Sequence, residues 1–204
     1  MSQSQPAQAA YPKTPLPRRV ATSLLVLGAL AAAATWAWRQ PFLEAPRTLW
    51  ELSRMPVPSA SPVPVQGVAA RDIAATFGAP RSGGRSHAGV DIFAARGTAV
   101  VSATRGVVLS VRDVGIGGRQ AWVLGPGRER HYYAHLDGWA PGLVRGKVLQ
   151  AGDAIGVVGD TGNARGTPPH LHYGVYSESG AIDPLPRLRS GSAPVPGPDP
   201  GGAR

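Results

Sequence analysis

The chain has 204 residues, with 27 Gly, 21 Pro and no Cys, and 43% hydrophobic against 16% charged residues. Nearly a quarter of it is thus helix- and strand-interrupting residues, which excludes a helical bundle, while the apolar content excludes full disorder and supplies one modest core; without cysteine, any metal must sit on His, Asp or Glu. The net charge of +9 is spread thinly, as six basic against two acidic side chains in residues 1–66, twelve against nine in residues 67–186 and three against one beyond, so no stripe of the kind that tracks a phosphate backbone exists and no nucleic-acid partner is expected.

Residues 1–19 carry Lys13, Arg18 and Arg19 and no acid, and residues 20–38 carry no charge at all. As a helix, that second stretch spans roughly 28 Å, close to the hydrocarbon thickness of a bilayer. A transmembrane anchor over residues 20–38 is expected, with residues 1–19 as a cytoplasmic basic N-terminus by the positive-inside bias. Trp36 and Trp38 fall where indole rings sit at the headgroup level. A cleaved signal peptide with its apolar region at residues 24–34 is the competing reading, and the Arg18-Arg19 pair allows a twin-arginine signal. Each version carries the rest of the chain across the membrane.

Residues 39–66 read as a stalk and linker. A short amphipathic helix over residues 42–54 would place Leu49, Trp50 and Leu52 on one side, near the membrane surface. Pro56, Pro58, Pro62 and Pro64 then favour a semi-rigid extended spacer and a domain boundary. Residues 67–187 form the folded unit, and residues 188–204, rich in Pro, Gly and Ser, are expected to be a disordered tail. Within the folded unit, β-rich segments at residues 98–101, 106–111, 121–124, 154–158 and 171–176 alternate with Gly-rich turns. The fold class is therefore mainly β, a small antiparallel sheet or sandwich-like domain, with at most one helical turn near residues 72–76.

All five histidines, at positions 87, 131, 135, 170 and 172, lie in this unit. On a strand, His170, His172, Gly174 and Tyr176 share one face and Leu171, Tyr173 and Val175 the other. Two imidazoles then point the same way, about 6.5–7 Å apart, so that one can bind a metal while the other reaches its water. His87 and Asp91 stand four residues apart across Gly89, in a turn leading into a strand. With the His-x-His strand they make two imidazoles and a carboxylate, a set suited to zinc with one position open. The spacing does not say which of His170 and His172 is the ligand. His135 could stand at the rim of the same site, and His131, beside Arg130, is expected to be solvated and without a role. No Ser-His-Asp arrangement surrounds Ser86 or Ser102, which speaks against a serine hydrolase.

The His-x-x-x-Asp at His87 and Asp91, the Tyr-Ala-His-Leu at residues 133–136, the run from Gly156 to Asn163 with Gly-Asp-Thr-Gly-Asn at its end, and the His-Leu-His at residues 170–172 resemble the lysostaphin-type, or LytM-like, zinc endopeptidases of bacterial peptidoglycan. The resemblance covers residues 67–185 and implies a small antiparallel β domain with zinc at the floor of a narrow groove. It makes His87, Asp91 and His172 the zinc ligands and His135 and His170 the catalytic pair. It places the groove walls at residues 78–84, 113–118, 138–145 and 162–169, the last stiffened by Thr167-Pro168-Pro169, where many relatives run more directly into the motif.

It implies a zinc-dependent endopeptidase, of D,D-endopeptidase type, that cuts peptide cross-links of peptidoglycan. The inner membrane would hold it as a single-pass anchor, with the catalytic domain in the periplasm. The alternative is a non-catalytic LytM-type regulator that binds and activates cell-wall amidases. Relatives of that kind have lost zinc ligands, whereas this chain has all three and both accessory histidines. A scaffold that holds wall peptides without cutting them is a further possibility.

Overall fold

The structure, a computed structural model, describes residues 17–191. Most of the basic N-terminal segment and residues 192–204 of the expected tail lie outside the described residues. Two compact units divide the chain after Leu43.

The first unit is built around helix α1, Arg18–Trp38, which is 21 residues long and has no buried residue. Its Ala- and Leu-rich run has no β-branched cluster to crowd the preceding turns, and Pro17 stands at the start, where a missing N–H costs nothing. The hydroxyls of Thr22 and Thr35 donate back to the carbonyls of Arg18 and Ala31 at 2.9 Å, so their polar groups are satisfied inside the helix. By length and composition α1 can cross a membrane.

The second unit opens with helix α2, Glu44–Arg54, which has an acid in its first turn and a base in its last, as the helix dipole favours. Thr48 and Leu52, one turn apart, are buried against the sheet, and Glu51 pairs with Arg105 at 2.6 Å. The stalk expected over residues 39–66 is corrected here, because Leu52, at 0% exposure, is part of the domain's own packing. The proline-rich segment is docked as well. Ser61, Val63 and Val65 are buried, Val65 bridges Val100, Val101 N–H donates to the Pro64 carbonyl at 2.9 Å, and Ser61 N–H to the Arg187 carbonyl at 3.0 Å. Proline cannot donate to a ladder but its carbonyl can accept from one, and the alternate valines use the extended backbone to reach the core.

Nine strands follow among the described residues: β1 Val90–Phe93, β2 Ala99–Val101, β3 Gly106–Asp113, β4 Arg119–Leu124, β5 Arg130–Trp139, β6 Val148–Leu149, β7 Ala154–Val158, β8 His170–Ser177 and β9 Gly180–Ile182. All pairings are antiparallel, with the order β1-β8-β5-β4-β3-β6, β7 bridging β2 and β5, and β9 on β8. The mainly antiparallel β architecture is the one that the turn spacing predicts. A helical turn at Ala70–Asp72 stands close to the one expected, but further single turns at Ser82–Gly84, Gly115–Gly117, Pro126–Arg128 and Gly162–Ala164 exceed the one allowed for.

The core gathers on one face of this sheet, around Val90, Ile92, Val123, Tyr133, Leu136, Ile155, Leu171, Tyr173 and Val175. A short helix α3, Leu185–Ser190, closes it with Leu185 and Leu188, at 3% and 0% exposure. Three residues of the tail expected from 188 onward are therefore helical. The bidentate pair of Arg187 with Glu129, at 2.5 and 3.0 Å, ties α3 to the start of β5.

Candidate metal centre and groove

A groove of about 860 Å³ lies on the other face, floored by β5 and β8 and walled by three loops. The walls are the hairpin around residues 80–86, the turn holding Ile116 and Gly117, and the loop from Asn163 to Pro168. The loop at residues 138–145, expected as a fourth wall, lines no part of it. Its chain is used instead to close β5 onto β7, with Trp139 opposite Gly156, Ala140 N–H donating to the Ile155 carbonyl at 2.9 Å and Leu143 buried.

β1 and β8 run side by side with Asp91 opposite His172, so one rung of the sheet brings the carboxylate and one imidazole together. His87 arrives from the hairpin just before β1, passing through Gly89, where a Cβ would collide with the Tyr173 carbonyl of β8. Only glycine permits that approach. The three donor atoms converge: His87 Nε2 to His172 Nδ1 is 2.9 Å, His87 Nε2 to Asp91 Oδ1 is 3.0 Å, and His172 Nδ1 to Asp91 Oδ1 is 3.1 Å. His87 Nδ1–H donates to the Thr76 carbonyl at 2.8 Å, since a carbonyl can only accept. In the neutral ring the Nε2 facing the carboxylate therefore carries a lone pair.

Three such atoms stand this close when a proton on His172 Nδ1 or a cation lies among them. Three ligands of a tetrahedral zinc at about 2.0–2.1 Å would stand roughly 3.3 Å apart, close to the spacing found. The donor set therefore fits a zinc-type ion, and a carbonyl that fixes the ring tautomer behind a ligating imidazole is the support such an ion needs. Burial raises the Asp91 pKa, but hydrogen bonds from His172, His87 and Arg81 outweigh it and hold the carboxyl well below the usual carboxylate range. Burial pushes the His172 pKa down, against the pull of Asp91. Both effects favour the deprotonated forms that bind metal.

His135 and His170 stand across from this triangle, their rings 5.1 Å apart and edge to face. His135 Nδ1–H donates to the Thr161 carbonyl at 2.9 Å and His170 Nδ1–H to the Pro168 carbonyl at 2.8 Å. In the neutral form of either ring, Nε2 is then the nitrogen left as acceptor. The His135 pKa is lowered to about 4, first by burial and then by the neighbouring His170 and His172, so the ring is a neutral proton acceptor at pH 7. The strand carrying His135 explains how it gets there. Along β5, Tyr132 and Ala134 line the groove while His131 and Tyr133 face the core, so strict alternation would bury His135 too. A register shift on each flank of this stretch and φ of 64° at His135 turn it into the groove instead. Bulges re-aim side chains in this way next to active sites.

The His-x-His strand divides as alternation predicts, with His170, His172 and Tyr176 on the groove and Leu171, Tyr173 and Val175 buried. His131, expected in solvent, is corrected: it is 3% exposed, with Nδ1 at 2.7 Å from the Tyr173 hydroxyl and Nε2 without a partner. The alternation His131-Tyr132-Tyr133-Ala134 carried that signal, and the adjacent Arg130 outweighed it. Residues that sequence reasoning passed over include Thr76 and Thr161, whose carbonyls fix two rings, and Arg81, whose guanidinium pairs with Asp91 Oδ2. Nothing in their spacing marks them. Tyr132, edge-on to His172 and stacked on Trp122, has its pKa pushed up to about 12 by burial and stays neutral.

Residues 85–184 match the family model of peptidase family M23. The chain is 39% identical over 117 residues to the L-Ala--D-Glu endopeptidase of Bacillus subtilis (strain 168), covering 53% of this chain and 36% of that protein, so it spans about a third of that relative's length. Among solved structures, it is similar to the catalytic domain of the antimicrobial peptidase lysostaphin from Staphylococcus simulans, with a TM-score of 0.52 and 32% identity over 58% of this chain and 92% of that one. Against the longer lysostaphin chain the TM-score is 0.54 and the identity 28%, covering 69% of this chain and 62% of that one.

Proposed function

We propose, for a chain that belongs to peptidase family M23, that its groove is the active site of a zinc-dependent endopeptidase cutting peptide bonds of bacterial peptidoglycan. The observation that carries this reading is the convergence of three ligand atoms, His87 Nε2, Asp91 Oδ1 and His172 Nδ1, beside two further histidines whose Nδ1 atoms are anchored on carbonyls. The first three residues would hold the ion. When bound, zinc supplies a nucleophilic water at neutral pH and polarises a carbonyl.

The protein's own groups handle the proton. His135 accepts it at Nε2 from the attacking water, while its Nδ1–H stays anchored on Thr161. His170, held on Pro168 and edge to face with His135, takes that proton over from His135 and passes it to the departing amine. Phe93 packs on His170 with ring centroids 5.1 Å apart and screens that ring from water. No side chain here forms a covalent bond to substrate.

Two of the groove's walls lean on each other. Gly118, at φ of 58°, abuts Thr161 and Gly162, where a Cβ on either glycine would strike the other loop. That contact fixes the width available to a peptide. The reading extends to location: α1 anchors the chain in the inner membrane, with the basic residues 13–19 on the cytoplasmic side and the groove in the periplasm. The substrate we assign is the peptide cross-link of the wall, cut as a D,D-endopeptidase cuts it.

The test is to incubate the detergent-solubilised chain with isolated cross-linked peptidoglycan and read the released muropeptides by mass spectrometry. Monomers released from cross-linked dimers are expected, and loss of that release with a chelator. Fragments cut between L-Ala and D-Glu would move the bond to the one in the Bacillus relative's name. Zinc-loaded protein that binds wall peptides and cuts none would contradict the enzyme reading and favour a regulator of amidases.

A further inference from the structure

Asp91 uses its two oxygens differently. Oδ1 faces the nitrogens of His87 and His172 at 3.0 and 3.1 Å, and Oδ2 is taken by Arg81 Nη2. Asp91 is 8% exposed at its side chain and Arg81 41%, so the guanidinium reaches in from the groove wall to cover the outer oxygen.

Arg81 is held to that task by its hairpin. Its N–H donates to the Arg85 carbonyl at 2.8 Å, Pro80 bridges Ser86, and His87 N–H donates to the Ala79 carbonyl at 2.9 Å. The tip carries Gly83 and Gly84 with φ of 72° and 70°. Arg85 Nε caps the tip on the Ser82 carbonyl at 3.1 Å, and Ser86 Oγ donates to the Gly78 carbonyl at 3.0 Å. One rigid hairpin therefore delivers both the ligand His87 and the group that restrains the ligand Asp91.

A carboxylate binds a cation through one oxygen or through both. Chelation through both would occupy a position that a hydrolytic site needs open, and a guanidinium on Oδ2 opposes it. We infer that Arg81 is a positioning residue for Asp91, which reserves Oδ1 for the metal and holds the carboxylate to one-oxygen ligation. This rests on the metal-site reading above. It assigns Arg81 no contact with the reacting atoms. The requirement is for a cation at this place, so lysine should replace arginine better than a neutral side chain does, although without the planar fork.

The experiment compares the full chain with Arg81→Met and Arg81→Lys, each shown folded by its thermal melt. Zinc affinity is read by competition with a chromophoric chelator, and ligand geometry by the visible absorption of the cobalt(II)-substituted protein. The expected result is a 10- to 100-fold weaker zinc affinity in Arg81→Met. Its cobalt absorption should also fall several-fold as coordination number rises, with both restored in large part by Arg81→Lys. Unchanged or tighter zinc binding with an unchanged cobalt spectrum in Arg81→Met would overturn the assignment. Failure of the unsubstituted chain to bind either metal would overturn the metal-site reading beneath it, and the first sample shows that by itself.

Discussion

β5 and β8 carry histidines on both faces, and the two faces put the same ring to opposite uses. On the groove face His172 Nδ1 stands 2.9 Å from His87 Nε2 and 3.1 Å from Asp91 Oδ1, where one ion could be shared among the three. On the core face His131 packs beside Tyr173, with one nitrogen paired and the other alone, near the buried pair of Glu129 and Arg187. What differs is what the rings meet. On the groove side carbonyls behind His87, His135 and His170 fix the tautomer and make a ligand or a base of the ring, whereas His131, with Nε2 unpartnered in the core, is a site whose protonation the fold resists.

The contrast breaks most completely at the ligands. Asp91→Ala should lower metal affinity by at least about a thousandfold and abolish turnover, since it removes one of three donors, while the thermal melt of the metal-free protein stays near that of the unsubstituted chain. Metal titration followed by calorimetry measures both. On the core face the order reverses. Glu129→Ala strands Arg187 and should cost about 3–4 kcal/mol in urea unfolding, the lower end for a broken buried pair because Arg187 keeps 23% exposure, with zinc affinity unchanged.

Acid sharpens the same comparison. Burial, then the charge of Arg187, lowers the His131 pKa to about 4 from its ordinary 6.5. The unfolded chain thus binds the proton more readily than the fold does. This contribution to stability is fully present above pH 6.5, is lost as pH falls from 6.5 toward 4, and amounts to about 3–4 kcal/mol. In His131→Phe that part of the slope of unfolding free energy against pH should vanish, whatever the change at neutral pH. The smallest effect belongs to the groove rim. Phe93 is 54% exposed, so Phe93→Ala should leave stability within about 0.5 kcal/mol and metal content unchanged, and reduce turnover on peptidoglycan by a few-fold through exposure of His170.

The period of two along β8 made the division between His170, His172 and Tyr176 and the buried Leu171, Tyr173 and Val175 legible, because a strand with one wet and one dry face has no other register. The meeting of His87 with Asp91 was legible too, since the turn at Gly89 gives the chain the freedom to fold His87 back beside Asp91. The route of His135 into the groove was not. A bulge and a left-handed residue override the alternation there, and no local composition announces them.

Composition misled at both ends of the domain. Prolines 56–64 read as a semi-rigid spacer, yet Val63 and Val65 beside them dock in the core, Leu188 closes the core, and Leu52 is fully buried, each from a segment whose average polarity suggests exposure. One buried leucine, worth about 1.5–3 kcal/mol, decides such a segment more than its mean composition does. Arg81 was illegible for another reason, in that its meeting with Asp91 depends on a hairpin folding back ten residues.

The most direct measurement is zinc content and peptidoglycan turnover, taken on the same samples of the unsubstituted chain, His172→Ala and His135→Ala. The expected result is one zinc per chain and turnover in the first, neither in the second, and zinc with turnover lowered about 100- to 10,000-fold in the third. Equal turnover in His135→Ala and the unsubstituted chain, or zinc retained at full stoichiometry in His172→Ala, would contradict the division between histidines that hold the metal and histidines that move the proton.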